Sequence, residues 1–135
     1  MEVAMIEFHL DSESGVSPYM QLVRQVKHAL RLDLLRVGEQ LPTVKDVVAQ
    51  LAINPNTVLK AYRELEREGL VVPRPGVGTF VTRTLAAGES LAAHGPLRKD
   101  LERWLAKARL AGMDDESIEA LFMTTFRSAR QEDIA

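Results

Sequence analysis

The chain has 135 residues, enough for one domain or one small domain with an appendage. Hydrophobic residues make up 46% and charged residues 27%, so it can bury a core and is not disordered as a whole. Its 17 Lys+Arg against 19 Asp+Glu leave a formal charge of −2, too small to imply a partner, and the absence of Cys excludes disulfides, thiol nucleophiles and Cys-ligated zinc.

Residues 4–10 read as a short strand leading into a polar loop at 11–17. Ser17-Pro18 reads as an N-cap followed by proline at the first helical position. Tyr19, Leu22, Val23, Val26 and Leu30 follow at helical spacing, which predicts a first amphipathic helix over 18–35, with Gly38 ending it. Thr43 is the expected cap of a second helix whose buried face is Val47, Val48 and Leu51. Asn54-Pro55 repeats the order of capping residue and proline, opening a third helix to Glu68. Its core stripe is Val58, Ala61, Tyr62 and Leu65, and Gly69 is its stop.

Leu70–Pro73 and Thr79–Thr82 read as two strands joined by Arg74-Pro75-Gly76-Val77-Gly78, whose glycines permit positive φ, so a hairpin is expected. Residues 85–96 carry Gly-Pro punctuation and read as a linker. Leu97, Leu101, Trp104, Leu105 and Ala108 share one helical face ending at Gly112. Asp114 can cap a last helix with Ile118, Leu121, Phe122, Phe126 and Ala129 on one face, so the tail is an αα-hairpin. The expected fold is mainly α with a small β-hairpin wing. It comprises a winged helix-turn-helix over 1–84, the linker and a two-helix tail over 97–135.

Charge is unevenly placed. Residues 1–84 hold 10 basic and 10 acidic side chains, whereas 85–135 hold 7 and 9. The stretch 42–83 carries six basic against four acidic residues, a modestly basic region hidden by the total. This matters because the major groove of B-DNA admits one α-helix, whose N-terminal residues face base edges. The third helix opens with Asn54, Asn56 and Thr57, and Asn56, Lys60, Arg63 and Arg67 fall opposite Val58, Tyr62 and Leu65, a face of amide and cation without carboxylate. A solvated face laced by pairs such as Lys60–Glu64 reads the same way, at ~0.2–0.5 kcal/mol per pair. Thr43 and Lys45 at the start of the second helix, Arg74 on the hairpin and the close spacing of helix and wing favour DNA.

Residues 18–81 resemble the DNA-binding domain of the GntR family of bacterial transcription regulators. The resemblance rests on Pro18-Tyr19-Met20-Gln21-Leu22, Gly38-Glu39-Gln40-Leu41-Pro42-Thr43, Asn54-Pro55-Asn56-Thr57-Val58, Ala61 to Leu70, and Gly76-Val77-Gly78-Thr79-Phe80-Val81. The short two-helix tail resembles the YtrA-type subgroup. The resemblance implies that Thr43 and Lys45 stand where the family's second helix touches DNA, usually with Ser and Arg. Lys keeps the charge without the bidentate fork that pairs with guanine, which assigns Lys45 to phosphate. It further implies that Asn56 and Thr57 start the recognition helix and that Pro55 replaces a DNA-contacting Arg of many members. Asn56 pairs bidentately with adenine in this reading, Lys60 joins it in the major groove, and Arg63 contacts phosphate. Gly76 matches the wing-tip glycine near the minor groove, with Arg74 as a phosphate neighbour.

A two-helix hairpin cannot bury its apolar stripes alone, and Trp104, Phe122 and Phe126 are each worth ~1.5–3 kcal/mol when buried. They need the winged domain or a second copy of the chain, and twofold pairing doubles the base contacts on a palindrome. The expected dimerisation residues are Leu97, Leu101, Trp104, Leu105, Leu121, Phe122 and Phe126. About 50 tail residues leave little room for an enclosed pocket of ~300–1,000 Å³ within one subunit. A small-molecule effector, if one acts, would sit between subunits.

No catalytic constellation is present in the sequence: His9, His28 and His94 lack metal-type spacing, no serine has a nucleophile motif, and Asp114-Asp115-Glu116 fits a helix start. No cofactor is expected. The longest charge-free run, 47–59, is 13 residues and polar in part, against the ~20 apolar residues of a membrane span. Glu2 and Glu7 do not suit a signal peptide, so a soluble, cytoplasmic protein is expected. The expected function is a homodimeric repressor on a palindromic operator in double-stranded DNA. The competing reading is a winged interaction module whose tail docks a non-identical partner.

Overall fold

The computed structural model describes residues 6–86 and 91–134, and the chain divides into two compact units between Leu91 and Ala92. The first holds α1 (Pro18–Arg31), α2 (Val44–Leu51), α3 (Pro55–Arg67), β1 (Val71–Arg74) and β2 (Gly78–Val81). The second holds α4 (Leu91–Leu110), apart from its first residue, and α5 (Asp115–Ile134). Helix, helix, helix and hairpin in that order form the expected winged helix-turn-helix.

The expected strand at the start is not formed over residues 6–10, and Ala4 and Met5 lie outside the described residues. Two glutamines of α1 take over the work of a strand partner. Gln25 accepts from the His9 N–H at 2.9 Å and donates to its carbonyl at 2.6 Å. Gln21 brackets Asp11 in the same way at 2.8 and 2.9 Å. With its backbone groups satisfied, the segment can lie along α1 and bury Phe8 in the core.

Helix α1 ends at Arg31, four residues short of the expected position. The N–H groups of Leu34 and Leu35 both turn back to the Ala29 carbonyl, at 2.8 and 3.3 Å, and Asp33 takes φ 57°. Ser17 does precede an N1 proline, but its side chain makes no capping bond; its carbonyl receives the Gln21 N–H at 3.1 Å. The other two caps form as expected. Thr43 accepts from the Asp46 N–H at 3.1 Å and Asn54 from the Asn56 N–H at 2.8 Å, each worth ~1 kcal/mol.

Leu22, Val23, Val26 and Leu30 of α1 meet Val47 of α2 and Val58, Ala61, Tyr62 and Leu65 of α3 in one core. Val48 and Leu51, expected on the buried face of α2, are only partly buried at its edge. The Tyr62 hydroxyl donates to the Pro42 carbonyl at 2.6 Å inside this core. Burial, with the Asp46 charge second, pushes its phenol far above the ordinary tyrosine value. Lys27 of α1 reaches Glu68, the C-cap of α3, at 2.6 Å and ties the end of α3 to the first helix.

The hairpin pairs Val71 with Val81 and Arg74 with Gly78. Residues 38–41 use the other edge of β2. Leu41 donates to Thr79 at 2.8 Å, Gly38 to Val81 at 2.9 Å, and Val81 to Glu39 at 2.9 Å, with Gln40 opposite Phe80. The loop before α2 therefore anchors the wing.

In the second unit Gly112 takes φ 87° between the helices, and Asp114 caps α5 by accepting the Ser117 N–H at 2.8 Å. Residues 91–96, expected as the end of a linker, belong to α4, which carries Pro96 within it. A proline there removes only one intrahelical bond near the start of a long helix, so the helix passes through it. Residues 87–90 of the expected linker lie outside the described residues.

Candidate nucleic-acid interface

The α2–turn–α3 segment presents the expected residues on a well-anchored frame. Ala52 closes α2 in the left-handed conformation, φ 53°, and α3 starts three residues later, so the two helix starts are set by local geometry. On α3, Val58, Ala61 and Leu65 are fully buried, and Asn56, Lys60, Arg63 and Arg67 are exposed. Thr57 is half-buried. Thr43 and Lys45 are exposed at the start of α2, although the Thr43 hydroxyl oxygen is engaged as the cap. Asn54 likewise uses its side-chain oxygen on its own helix.

Three details differ from the reading of the sequence. The outer face is not free of carboxylate, because Glu64 pairs with Arg67 at its edge. That bond holds the Glu64 carboxyl below the usual carboxylate range and occupies the Arg67 guanidinium. Lys60 does not extend freely from the helix: its Nζ lies 4.0 Å from the centroid of the Tyr19 ring. Arg74 stacks over Phe80 on the wing, its Cζ 4.5 Å from the ring centroid, which fixes where the guanidinium can reach. Lys45, Lys60, Arg63 and Arg74 make no ion pair with another described residue.

The wing tip is exposed at Gly76, which has φ 76° and open space where a Cβ would stand. Behind it, the half-buried amide contact of Gln40 holds the tip, donating to the Val77 carbonyl at 3.1 Å. Residue pattern marks neither Gln40 nor Tyr19, whose contacts are with Val77 and Lys60. These partners are distant in sequence, which periodicity does not register.

The tail leaves its apolar faces largely open within the unit. Ala108 and Ile118 are buried, whereas Leu97, Leu101, Leu121, Phe122 and Phe126 are exposed. Trp104 and Leu105 are half-buried. Trp104 and Phe122 meet at 6.4 Å between centroids, tilted by 54°, and Phe122 stacks on Phe126 at 6.1 Å. Hollows of about 330 and 410 Å³ open along this aromatic row. No group of three His, Asp or Glu side chains able to hold a metal ion occurs among the described residues, and none of their helices is long and apolar enough to cross a membrane.

Residues 18–81 match the model of the gntR family of bacterial regulatory proteins. The chain is 31% identical over 113 residues to the HTH-type transcriptional repressor YtrA of Bacillus subtilis, covering 81% of this chain and 84% of that one. Among solved structures it is similar to YtrA from Sulfolobus acidocaldarius, a GntR-family transcription factor. The TM-score is 0.53 with 27% identity over 73% of this chain and 97% of that chain. It is also similar to a transcriptional antiterminator from Listeria monocytogenes, with TM-score 0.56 and 28% identity over 89% and 90% of the two chains. The matches to the Bacillus subtilis repressor and to the Listeria monocytogenes structure are each longer than the winged domain. This chain belongs to the gntR family of bacterial regulatory proteins, which are DNA-binding transcription regulators and not enzymes.

Proposed function

We propose that the chain is a homodimeric, cytoplasmic repressor that occupies a palindromic operator. The observation that carries this reading is the two-sided construction of α3. One side is sunk in the core at Val58, Ala61 and Leu65, and the other offers Asn56, Lys60 and Arg63 to the outside. In the bound state α3 enters the major groove, where the Asn56 amide pairs with adenine and Thr57 stands beside it. Lys45 and Arg63 contact phosphates, and the wing around Gly76 approaches the adjacent minor groove with Arg74 beside it.

The tail over 97–135 supplies the second half of the reading. A second copy covers Leu101, Trp104, Phe122 and Phe126, and places two recognition helices on one duplex. That seam is also where a small-molecule effector would reach both subunits. The repressor called YtrA in Bacillus subtilis, similar along most of its length, supports repression as the direction of control.

Titration of the chain against a labelled duplex from upstream of its own gene tests this. Affinity should fall linearly with salt on logarithmic axes and exceed that for an unrelated duplex. Absent or salt-insensitive binding would exclude the proposal and leave the interaction module.

A further inference from the structure

One contact joins the first helix to the recognition face. Tyr19 is the second residue of α1 and packs its ring partly against the core, while Lys60 is exposed on α3. The Lys60 Nζ stands 4.0 Å from the centroid of the Tyr19 ring, a distance at which the negative face of the ring attracts the ammonium. The neighbouring carboxylate that could have claimed Lys60, Glu64 one turn on, is paired with Arg67 instead. Lys60 is thus held by an uncharged ring and forms no ion pair with another described residue.

The geometry has a consequence for what Lys60 can touch. The Lys60 side chain reaches across to the first turn of α1, so its ammonium sits beside the start of that helix. A free lysine loses rotamer freedom when it is fixed at a phosphate. One already resting on an aromatic face has lost part of that freedom before DNA arrives. The ammonium has three N–H donors, and resting on a ring does not use them all.

We infer that Tyr19 is a positioning residue of the DNA interface. Its ring holds Lys60 toward the phosphate backbone beside the start of α1, so that Lys60 supplies sequence-independent affinity and base reading is left to Asn56 and Thr57. The inference rests on the DNA reading above and extends the interface to a residue of the first helix.

The test measures binding by fluorescence anisotropy, over a range of salt, to the upstream duplex and to an unrelated duplex. Tyr19→Leu keeps apolar packing but removes the ring, and should weaken binding about two- to five-fold on both duplexes alike. Tyr19→Phe keeps the ring face and should restore the loss. Lys60→Ala should flatten the salt slope by about one unit. Adding Tyr19→Leu to Lys60→Ala should cost less than Tyr19→Leu costs alone. In the free protein, the ε-methylene protons of Lys60 should be shifted upfield by the ring in the native chain and in Tyr19→Phe, and not in Tyr19→Leu.

Binding that is unchanged or tighter in Tyr19→Leu, or losses that add in full, would overturn this inference while leaving the DNA reading in place. Loss on the upstream duplex alone would overturn it too, since Lys60 would then be reading bases. A native chain that binds neither duplex would overturn both.

Discussion

Gln40 and Gly78 compete for one volume at the base of the wing. A Cβ on Gly78 would overlap the Gln40 amide nitrogen and stand 3.0 Å from its Cδ, and Gly78 also has φ 151°. Gly76, at the tip with φ 76°, has nothing within 4 Å of the same added atom. Gly76→Ala therefore meets only backbone strain, of about 1–2 kcal/mol. Gly78→Ala meets strain plus overpacking of about 1–3 kcal/mol and must displace Gln40 from the Val77 carbonyl. Thermal melting should rank Gly78→Ala well below Gly76→Ala. The reverse order would mean that Gln40 does not fix the wing.

Tyr62 carries a pH dependence whose sign follows from its burial. Its folded pKa is raised, first by desolvation and then by Asp46, above the value near 10 expected in the unfolded chain. Its contribution is therefore complete below about pH 10 and is lost as pH rises beyond that, because only the unfolded chain can ionise it. Tyr62→Phe removes the bond to Pro42 and should cost about 1–3 kcal/mol at pH 7. The gap in urea midpoint between native and variant should narrow at pH 11. A constant gap would show that the phenol is not what titrates.

The parts of this fold legible in the sequence are those with local causes. Thr43 and Asn54 cap because their side chains reach N–H groups two or three residues on, and the α3 stripe follows from helical periodicity. Several departures depend on partners far along the chain. The bracket of His9 by Gln25 spans 16 residues and turns an expected strand into a docked segment. The pairing of residues 38–41 with β2 and the meeting of Lys60 with Tyr19 are tertiary events of the same kind. Gly95-Pro96 departs from expectation for a different reason. Punctuation typical of linkers is tolerated inside α4, whose other residues favour the helix.

Asn54 and Asn56 separate folding from reading, although they stand two residues apart. The Asn54 side chain accepts from the Asn56 N–H, whereas the Asn56 side chain is exposed and makes no such cap. Asn54→Ala should cost about 1 kcal/mol of stability through the lost cap and weaken all duplexes together. Asn56→Ala should melt like the native chain and relax preference at a single base pair by about 1–3 kcal/mol. Binding to a panel of singly substituted duplexes distinguishes the two, and an Asn56→Ala profile parallel to the native one would remove Asn56 from base reading.

Phe122 tests the tail. It lies between Trp104 and Phe126 in the aromatic row, yet 42% of its surface is exposed within the single chain. In a twofold interface each copy buries it, so every substitution acts twice. Phe122→Glu removes about 1.5–3 kcal/mol of apolar burial per copy and adds a carboxylate to be desolvated. Sedimentation should show a monomer whose winged domain still melts cooperatively. Full-site and half-site duplexes should then bind alike, because the second recognition helix no longer arrives with the first. A variant that remains a dimer with an intact full-site advantage would place the interface elsewhere, since a charge at the centre of an apolar seam cannot be carried without cost.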